Sequence, residues 1–266
     1  MTASIAALHL YPLKSGAALS PASAEVEARG LAGDRRWMIV DEQARFVTGR
    51  TLPRMVLLRA TPLGSGLRLE YPGAQPIELE FPEPGDARLA VRVWNDSVEA
   101  LVAGRAGDWL ARCFERALRL VYMDERALRP VRPDYASPGD VVSFADGFPL
   151  LLIGTGSLDA LNARLGRAVP MARFRPNVVV GGSEAHAEDG WRRVRIGAVT
   201  FDVVKPCSRC VFTTVDPETG SFDPDGEPLA TLRQYRRTSA GVMFGQNLIP
   251  RATGTIRVGD PVEQLL

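Results

Sequence analysis

Short alternations of apolar and polar positions run through the first part of the chain. Ala6, Leu8 and Leu10 recur at every second position, the period of a half-buried strand, and Trp37-Met38-Ile39-Val40 is a compact apolar run. Gly64-Ser65-Gly66 and Tyr71-Pro72-Gly73 interrupt the pattern with residues suited to turns. A β-rich first unit is predicted. From Gly107 to Leu118 the period lengthens, and Trp109, Leu110, Cys113 and Phe114 share one helical face, so Cys113 reads as a packed core thiol. Residues 125–140, rich in proline, arginine and aspartate, read as a linker or long surface loop. That places a domain boundary between 1–124 and 125–266.

The second half predicts a helix over Ser157 to Leu165, capped by Ser157 and stopped at Gly166. A shorter helix starts at Pro228, with Leu229, Leu232 and Tyr235 inward. Strands are predicted at Val178–Val180, Val199–Val203, Val211–Val215 and Thr255–Val258. They follow one another like a meander or barrel, without the strand–helix alternation of a doubly wound nucleotide fold. The predicted class is mainly β with a few helices (α+β).

Composition narrows the function. The chain has 266 residues, 45% hydrophobic and 24% charged, which is ordinary for a globular enzyme. A formal net charge of +1 gives no overall field to recruit nucleic acid or an anionic membrane, so neither is an expected partner. The N-terminal stretch lacks a basic region followed by an apolar one, and no apolar run could span a bilayer, so a cytoplasmic protein is expected. Three cysteines are too few, and odd in number, for a secreted disulfide scaffold. Lys14 and Lys205 are the only lysines, and both fall in the segments that carry candidate chemistry.

Lys205-Pro206-Cys207-Ser208-Arg209-Cys210 leads into Val211-Phe212-Thr213-Thr214-Val215, which predicts a hairpin with two thiols at its tip. Neighbouring cations and backbone amides favour the thiolate, the form that ligates metals. Structural zinc needs four ligands, and Cys113, His9 and His186 are not spaced to supply them. A thioredoxin-like pair would open a helix, whereas a strand is predicted here. Two ordinary loop thiols remain a reading that this segment alone permits. Phe174-Arg175-Pro176-Asn177 sets a guanidinium beside an amide, suited to a phosphate or a heterocycle edge, or else to a surface salt bridge. Asp34-Arg35-Arg36-Trp37 and Tyr11-Pro12-Leu13-Lys14-Ser15 add cations and a hydroxyl.

The order and wording of these segments resemble the MOSC family, in the form with an N-terminal MOSC β-barrel domain seen in amidoxime-reducing components and YcbX-type bacterial reductases. The likeness also runs through Gly33-Asp34-Arg35-Arg36-Trp37, Ala187-Glu188-Asp189, Thr213 to Gly220, Phe244-Gly245-Gln246-Asn247 and Gly254 to Asp260. It implies a β-barrel MOSC domain with a smaller β-rich N-terminal domain, and a molybdenum cofactor of the molybdopterin type. It implies that Cys210 is the metal ligand and catalytic centre, with Cys207 a neighbour. By the same resemblance Lys14, Ser15, Arg35, Asp146, Arg175, Asn177, Ser208 and Arg209 contact the cofactor. At family level it also carries pyridoxal phosphate binding. Where the family has a tyrosine after Phe-Gly-Gln this chain has Asn247, and no role is transferred there.

The expected function is an oxidoreductase that converts a small N-hydroxylated substrate, N–OH, to N–H and water. YcbX-like relatives often carry a C-terminal ferredoxin domain; this chain ends at Leu266 without one, so an external flavin or iron–sulfur donor is expected. Two alternatives stand beside it: a sulfur carrier or transferase using a cysteine persulfide, and a non-catalytic carrier of the cofactor.

Overall fold

The computed structural model describes residues 3–265, and strands dominate it. The largest sheet runs in the order Ser4–Leu8, Val178–Gly181, Leu150–Gly154, Gly241–Pro250, Val199–Arg209, Arg193–Ile196 and Val262–Leu265, with the short strand Arg237–Thr238 beside Gly241–Pro250. Only Leu150–Gly154 and Val178–Gly181 pair in parallel. The two ends almost meet, because Ile5 N donates to Asp260 O at 2.9 Å and Val262 N to Ala3 O at 2.8 Å. The sheet is therefore a nearly closed barrel, which covers edge groups that would otherwise be left unpaired. Its interior is filled by Ile5, Leu8, Leu152, Val178, Val180, Ile196, Phe201 and Leu248.

The first half holds a four-stranded sheet ordered Trp37–Val40, Arg119–Tyr122, Asp96–Val102, Arg88–Val93, and a three-stranded one built from Arg59–Leu63, Gly66–Glu70 and Ile77–Glu80. The unbroken apolar run of Trp37–Val40 has a physical reason: Trp37 and Ile39 enter one core while Met38 and Val40 enter another. A strand buried on both faces has no polar side to display.

The chain does not keep to one half before residue 125. Ser4–Leu8 belongs to the barrel, and Ser23–Glu27 pairs with Gly254–Arg257. Residues 11–15 and 34–36 consequently lie where the chain passes between the barrel and the first half. They are locked together there: Tyr11 N donates to Asp34 Oδ1 at 2.9 Å, Arg35 N to Tyr11 O at 2.7 Å, and Lys14 N to Trp37 O at 2.9 Å.

Several local expectations change. The helix near Gly107 ends at Phe114, because Glu115 turns left-handed at φ 55°. The helix expected from Ser157 spans Thr155–Asn162 instead. Ser157 is no cap, since its hydroxyl lies 2.7 and 2.8 Å from the two oxygens of buried Glu188. The third helix, Leu229–Tyr235, follows Pro228 as expected. The stretch 125–140, expected as a linker or surface loop, is partly packed: Arg129 is 3% exposed and its guanidinium donates to the carbonyls of Ser143, Ala145 and Asp146.

The largest correction concerns the two thiols. There is no strand at Val211–Val215, and no hairpin tip between the cysteines. The strand Val199–Arg209 runs on through Cys207, with Ser208 opposite Met243 and Arg209 opposite Val242, and a 3-10 turn over Val211–Thr214 follows Cys210. Thr213 and Thr214 drive this outcome: their hydroxyls donate back to Cys210 O at 2.9 Å and Val211 O at 2.8 Å. Such local bonds compete with a sheet ladder even in a β-branched run.

Candidate functional site

Strand geometry separates the two cysteines. Successive side chains point to opposite faces, and along 207–210 exposure alternates: Cys207 and Arg209 are half-buried, Ser208 and Cys210 exposed. Arg209 Nη1 lies 2.9 Å from Cys207 Sγ, and its Nη2 donates to Phe174 O at 2.6 Å. Cys207 is thus covered by a guanidinium. Cys210 Sγ is open, with Arg50 Nη1 at 3.9 Å.

The open sulfur stands at a cleft between the barrel and the first half. The nine residues that the resemblance assigns to the site, Lys14, Ser15, Arg35, Asp146, Arg175, Asn177, Ser208, Arg209 and Cys210, line this one cleft, and so does Cys207. Lys14 is 5% exposed, and its Nζ donates to Phe144 O at 2.7 Å and to Asp146 Oδ1 at 2.6 Å. Burial pulls its pKa down to about 8, against the opposing pull of Asp146.

Arg35 and Arg175 share Tyr11, whose ring centroid lies 4.2 Å from one guanidinium carbon and 4.1 Å from the other. An aromatic face is a favourable seat for a cation that has lost water. Arg35 donates to Asp34 at 2.5 Å, to Asn177 Oδ1 at 3.0 Å and to Arg175 O at 3.2 Å. Arg175 Nη1 donates to Gly16 O at 2.7 Å, and burial lowers the Arg175 pKa to about 10. Ser15, Arg35 and Arg175 all sit at left-handed φ, 65°, 47° and 56°, an uncommon backbone for side-chain-bearing residues. Strain of this kind persists where the surrounding bonds over-determine the conformation.

Asn177, expected to contact the cofactor, lines the cleft with its amide engaged by neighbours. It is 1% exposed, its oxygen accepts from Arg35 and from Leu151 N, and its nitrogen donates to His9 O. In this structure it anchors a strand end and aims Arg35. Among the described residues three buried guanidinium donors at the cleft are left without partners, Arg173 Nε, Arg175 Nη2 and Arg209 Nε. Unsatisfied buried donors are costly in a finished protein and are commonly explained by a missing ligand, ion or water.

Residues 2–117 match the MOSC N-terminal beta barrel domain and residues 139–263 the MOSC domain. Three relatives are called mitochondrial amidoxime-reducing component 1. That of Xenopus laevis is 38% identical, the alignment covering 97% of this chain and 81% of the relative. That of Danio rerio is 39% identical over 97% and 83%, and that of Homo sapiens 35% identical over 97% and 82%. The chain belongs to the MOSC family.

Sequence reasoning missed three residues of the MOSC cleft. Arg50 stands in Thr48-Gly49-Arg50-Thr51, a turn with no motif to mark it, and it reaches the cleft only through the fold. Arg173 lies just before the recognised Phe174-Arg175 pair; 4% exposed, it donates to Thr214 O and Asp216, tying the cysteine-bearing turn to the barrel. Phe212 packs against Gly49 so closely that a Cβ there would meet its ring at 2.0 Å. That glycine was the available signal, a small residue forced by an aromatic neighbour. Among the described residues no group of three His, Cys, Asp or Glu side chains gathers, and no helix is long and apolar enough to cross a membrane.

Proposed function

We propose that this MOSC protein reduces N-hydroxylated compounds with a molybdenum cofactor whose metal is ligated by Cys210. The observation that carries the reading is the open Cys210 sulfur at a cleft whose arginines, Arg173, Arg175 and Arg209, each keep one unpartnered guanidinium donor among the described residues. The donor set fits a phosphorylated pterin. One soft thiolate from the chain suits a metal whose other ligands are the pterin's own sulfurs. The names of the relatives point to amidoximes as substrates.

When bound, the cofactor supplies two-electron oxygen-atom chemistry. The overall change is R–NHOH + 2 e⁻ + 2 H⁺ → R–NH₂ + H₂O, in which the N–O bond breaks, and an external flavin or iron–sulfur protein supplies the electrons. Arg175, Arg209 and Lys14 bind the phosphate and pterin, with charge-assisted bonds of roughly 1.5–3 kcal/mol each. Arg35 completes this wall, oriented by Asp34 and Asn177. Asp146 holds Lys14 in place, and the Ser208 hydroxyl, on the same face as Cys210, is a further contact. Arg50, with Nη1 3.9 Å from Cys210 Sγ, adds a further positive charge beside the sulfur.

The family-level pyridoxal phosphate reading is less favoured here: Lys14, the lysine that lines the cleft, already donates to Asp146 Oδ1 and Phe144 O, and Lys205 is not among the lining residues.

The test is metal analysis of protein made in a host that synthesises the cofactor, with an amidoxime assay driven by a reduced viologen. One molybdenum per chain with turnover is expected. Metal-free protein carrying cyanide-labile sulfur on a cysteine overturns this in favour of a sulfur carrier. Bound pterin that passes to an apo-enzyme, without turnover, overturns it in favour of a carrier.

A further inference from the structure

A second cavity, of about 300 Å³, shares the arginine wall of the Cys210 cleft. Arg173, Arg175 and Phe212 line both, whereas Tyr11 lines the second alone and Lys14 and Cys210 only the first. Most of its remaining surface is apolar, contributed by Ala17, Ala18, Val56 and Pro170 among others. A mainly apolar cavity with a few polar groups on its walls is the usual form of a small-molecule site.

Two of the polar groups on those walls are fixed and unsatisfied. Tyr11 is 1% exposed, its backbone is tied to Asp34 and Arg35, and its ring seats two guanidinium groups, yet its hydroxyl has no partner among the described residues. Burial pushes the phenol pKa up to about 12, so the hydroxyl keeps its proton and can donate at neutral pH. Arg173 gives Nη1 to Thr214 O at 2.7 Å and Nη2 to Asp216 Oδ2 at 3.0 Å, which leaves Nε as its open donor. Buried donors of this kind call for a ligand or an ordered water. The charges narrow the choice. Asp216 offsets Arg173, and the exposed Glu218 on the lining opposes Arg175, so the walls suit a single negative charge better than a doubly charged phosphate.

We propose that this second cavity binds a small organic monocarboxylate, whose oxygens accept from the Tyr11 hydroxyl and Arg173 Nε and whose hydrocarbon body lies against Ala17, Ala18, Val56 and Pro170. Hydrogen bonds from a guanidinium to a carboxylate are among the stronger ones a protein makes. The site is separate from the Cys210 cleft and does not depend on the reaction proposed there. It is nevertheless mechanically joined to it: Arg173 holds the carbonyl of Thr214, in the turn that follows Cys210, so an acid bound to Arg173 bears on the position of that turn.

The experiment is titration calorimetry of the purified protein with sodium hexanoate and with hexanamide, which has the same carbon chain and no charge. Hexanoate should bind at least about tenfold more tightly. Tyr11→Phe keeps the ring between the two guanidinium groups and deletes only the oxygen, and it should weaken hexanoate about tenfold. Ala18→Phe, which places a larger side chain on the lining, should exclude it. Lys14→Met, a change confined to the cleft, should leave hexanoate binding as it is. Hexanoate that binds no better than hexanamide overturns the proposal and leaves the open donors to ordered water. Affinity that falls in Lys14→Met and holds in Tyr11→Phe overturns it too, by placing the acid in the cleft.

Discussion

Lys14 Nζ donates to Asp146 Oδ1 at 2.6 Å, joining residues 132 positions apart across the cleft. The ammonium is nearly water-free, and its pKa falls to about 8 from an ordinary 10.5. Between those two values the unfolded chain holds a proton that the folded chain has released. Stability therefore rises with pH across that window, as the penalty of burying the charge is relieved. Anion binding runs the other way, because the cleft loses a positive charge as pH rises through about 8. Titration calorimetry with inorganic pyrophosphate from pH 6.5 to 9.5 should show affinity falling over that range. Lys14→Met should bind more weakly and lose most of the pH dependence; an unchanged profile in that variant would show that some other group titrates.

The alternation along 207–210 makes a prediction about the two thiols that needs no cofactor. Cys210 is open, whereas Cys207 lies under the Arg209 guanidinium at 2.9 Å. Limited iodoacetamide should alkylate Cys210 first. In loaded protein Cys210→Ser should abolish activity and metal retention with the fold intact, and Cys207→Ser should keep a measurable fraction. Mutants that behave in the opposite order reverse the ligand assignment.

Periodicity was a good guide where one face or two were buried. The Trp37–Val40 run and the Val178–Val180 strand follow from their apolar positions, and the mainly β class from their spacing. It failed at Val211–Val215 because strand propensity cannot register hydroxyls that close a 3-10 turn. It failed again at Ser157, a good cap by composition, whose hydroxyl faces a buried carboxylate distant in sequence. The site behaved similarly. Arg175 and Arg209 stand in recognisable wording, but Arg50 reaches Cys210 only through tertiary packing, and no spacing along the chain encodes that approach.

Arg175 joins the halves in a way that a point mutation can test. Its Nη1 donates to Gly16 O at 2.7 Å, and its Nη2 has no partner among the described residues. Under the proposed function Arg175→Ala removes one charge-assisted bond to the cofactor, roughly 1.5–3 kcal/mol, or about ten- to a hundredfold in affinity. Pterin content after purification, read by fluorescence of its oxidised product, should fall accordingly. Arg175→Lys should recover part of it, since a point charge replaces a fork of donors. Full occupancy in Arg175→Ala would remove this residue from the site.

A last prediction concerns stability away from the cleft. Glu188 is 1% exposed, and its carboxylate is held by the Ser157 hydroxyl, at 2.7 and 2.8 Å, and by Gly154 N at 3.1 Å. Ser157 Oγ also accepts from His186 N at 2.8 Å, so one hydroxyl ties the helix Thr155–Asn162 to the turn that carries Glu188. Ser157→Ala strands a buried carboxylate with a single donor, which should cost roughly 1.5–3 kcal/mol in urea unfolding. Removing both polar partners is a different perturbation, since no stranded charge remains. Ser157→Ala with Glu188→Met should therefore cost clearly less than the sum of the single changes. Strict additivity would mean that the two groups do not act as a pair, and that the helix is held to this turn by its apolar packing alone.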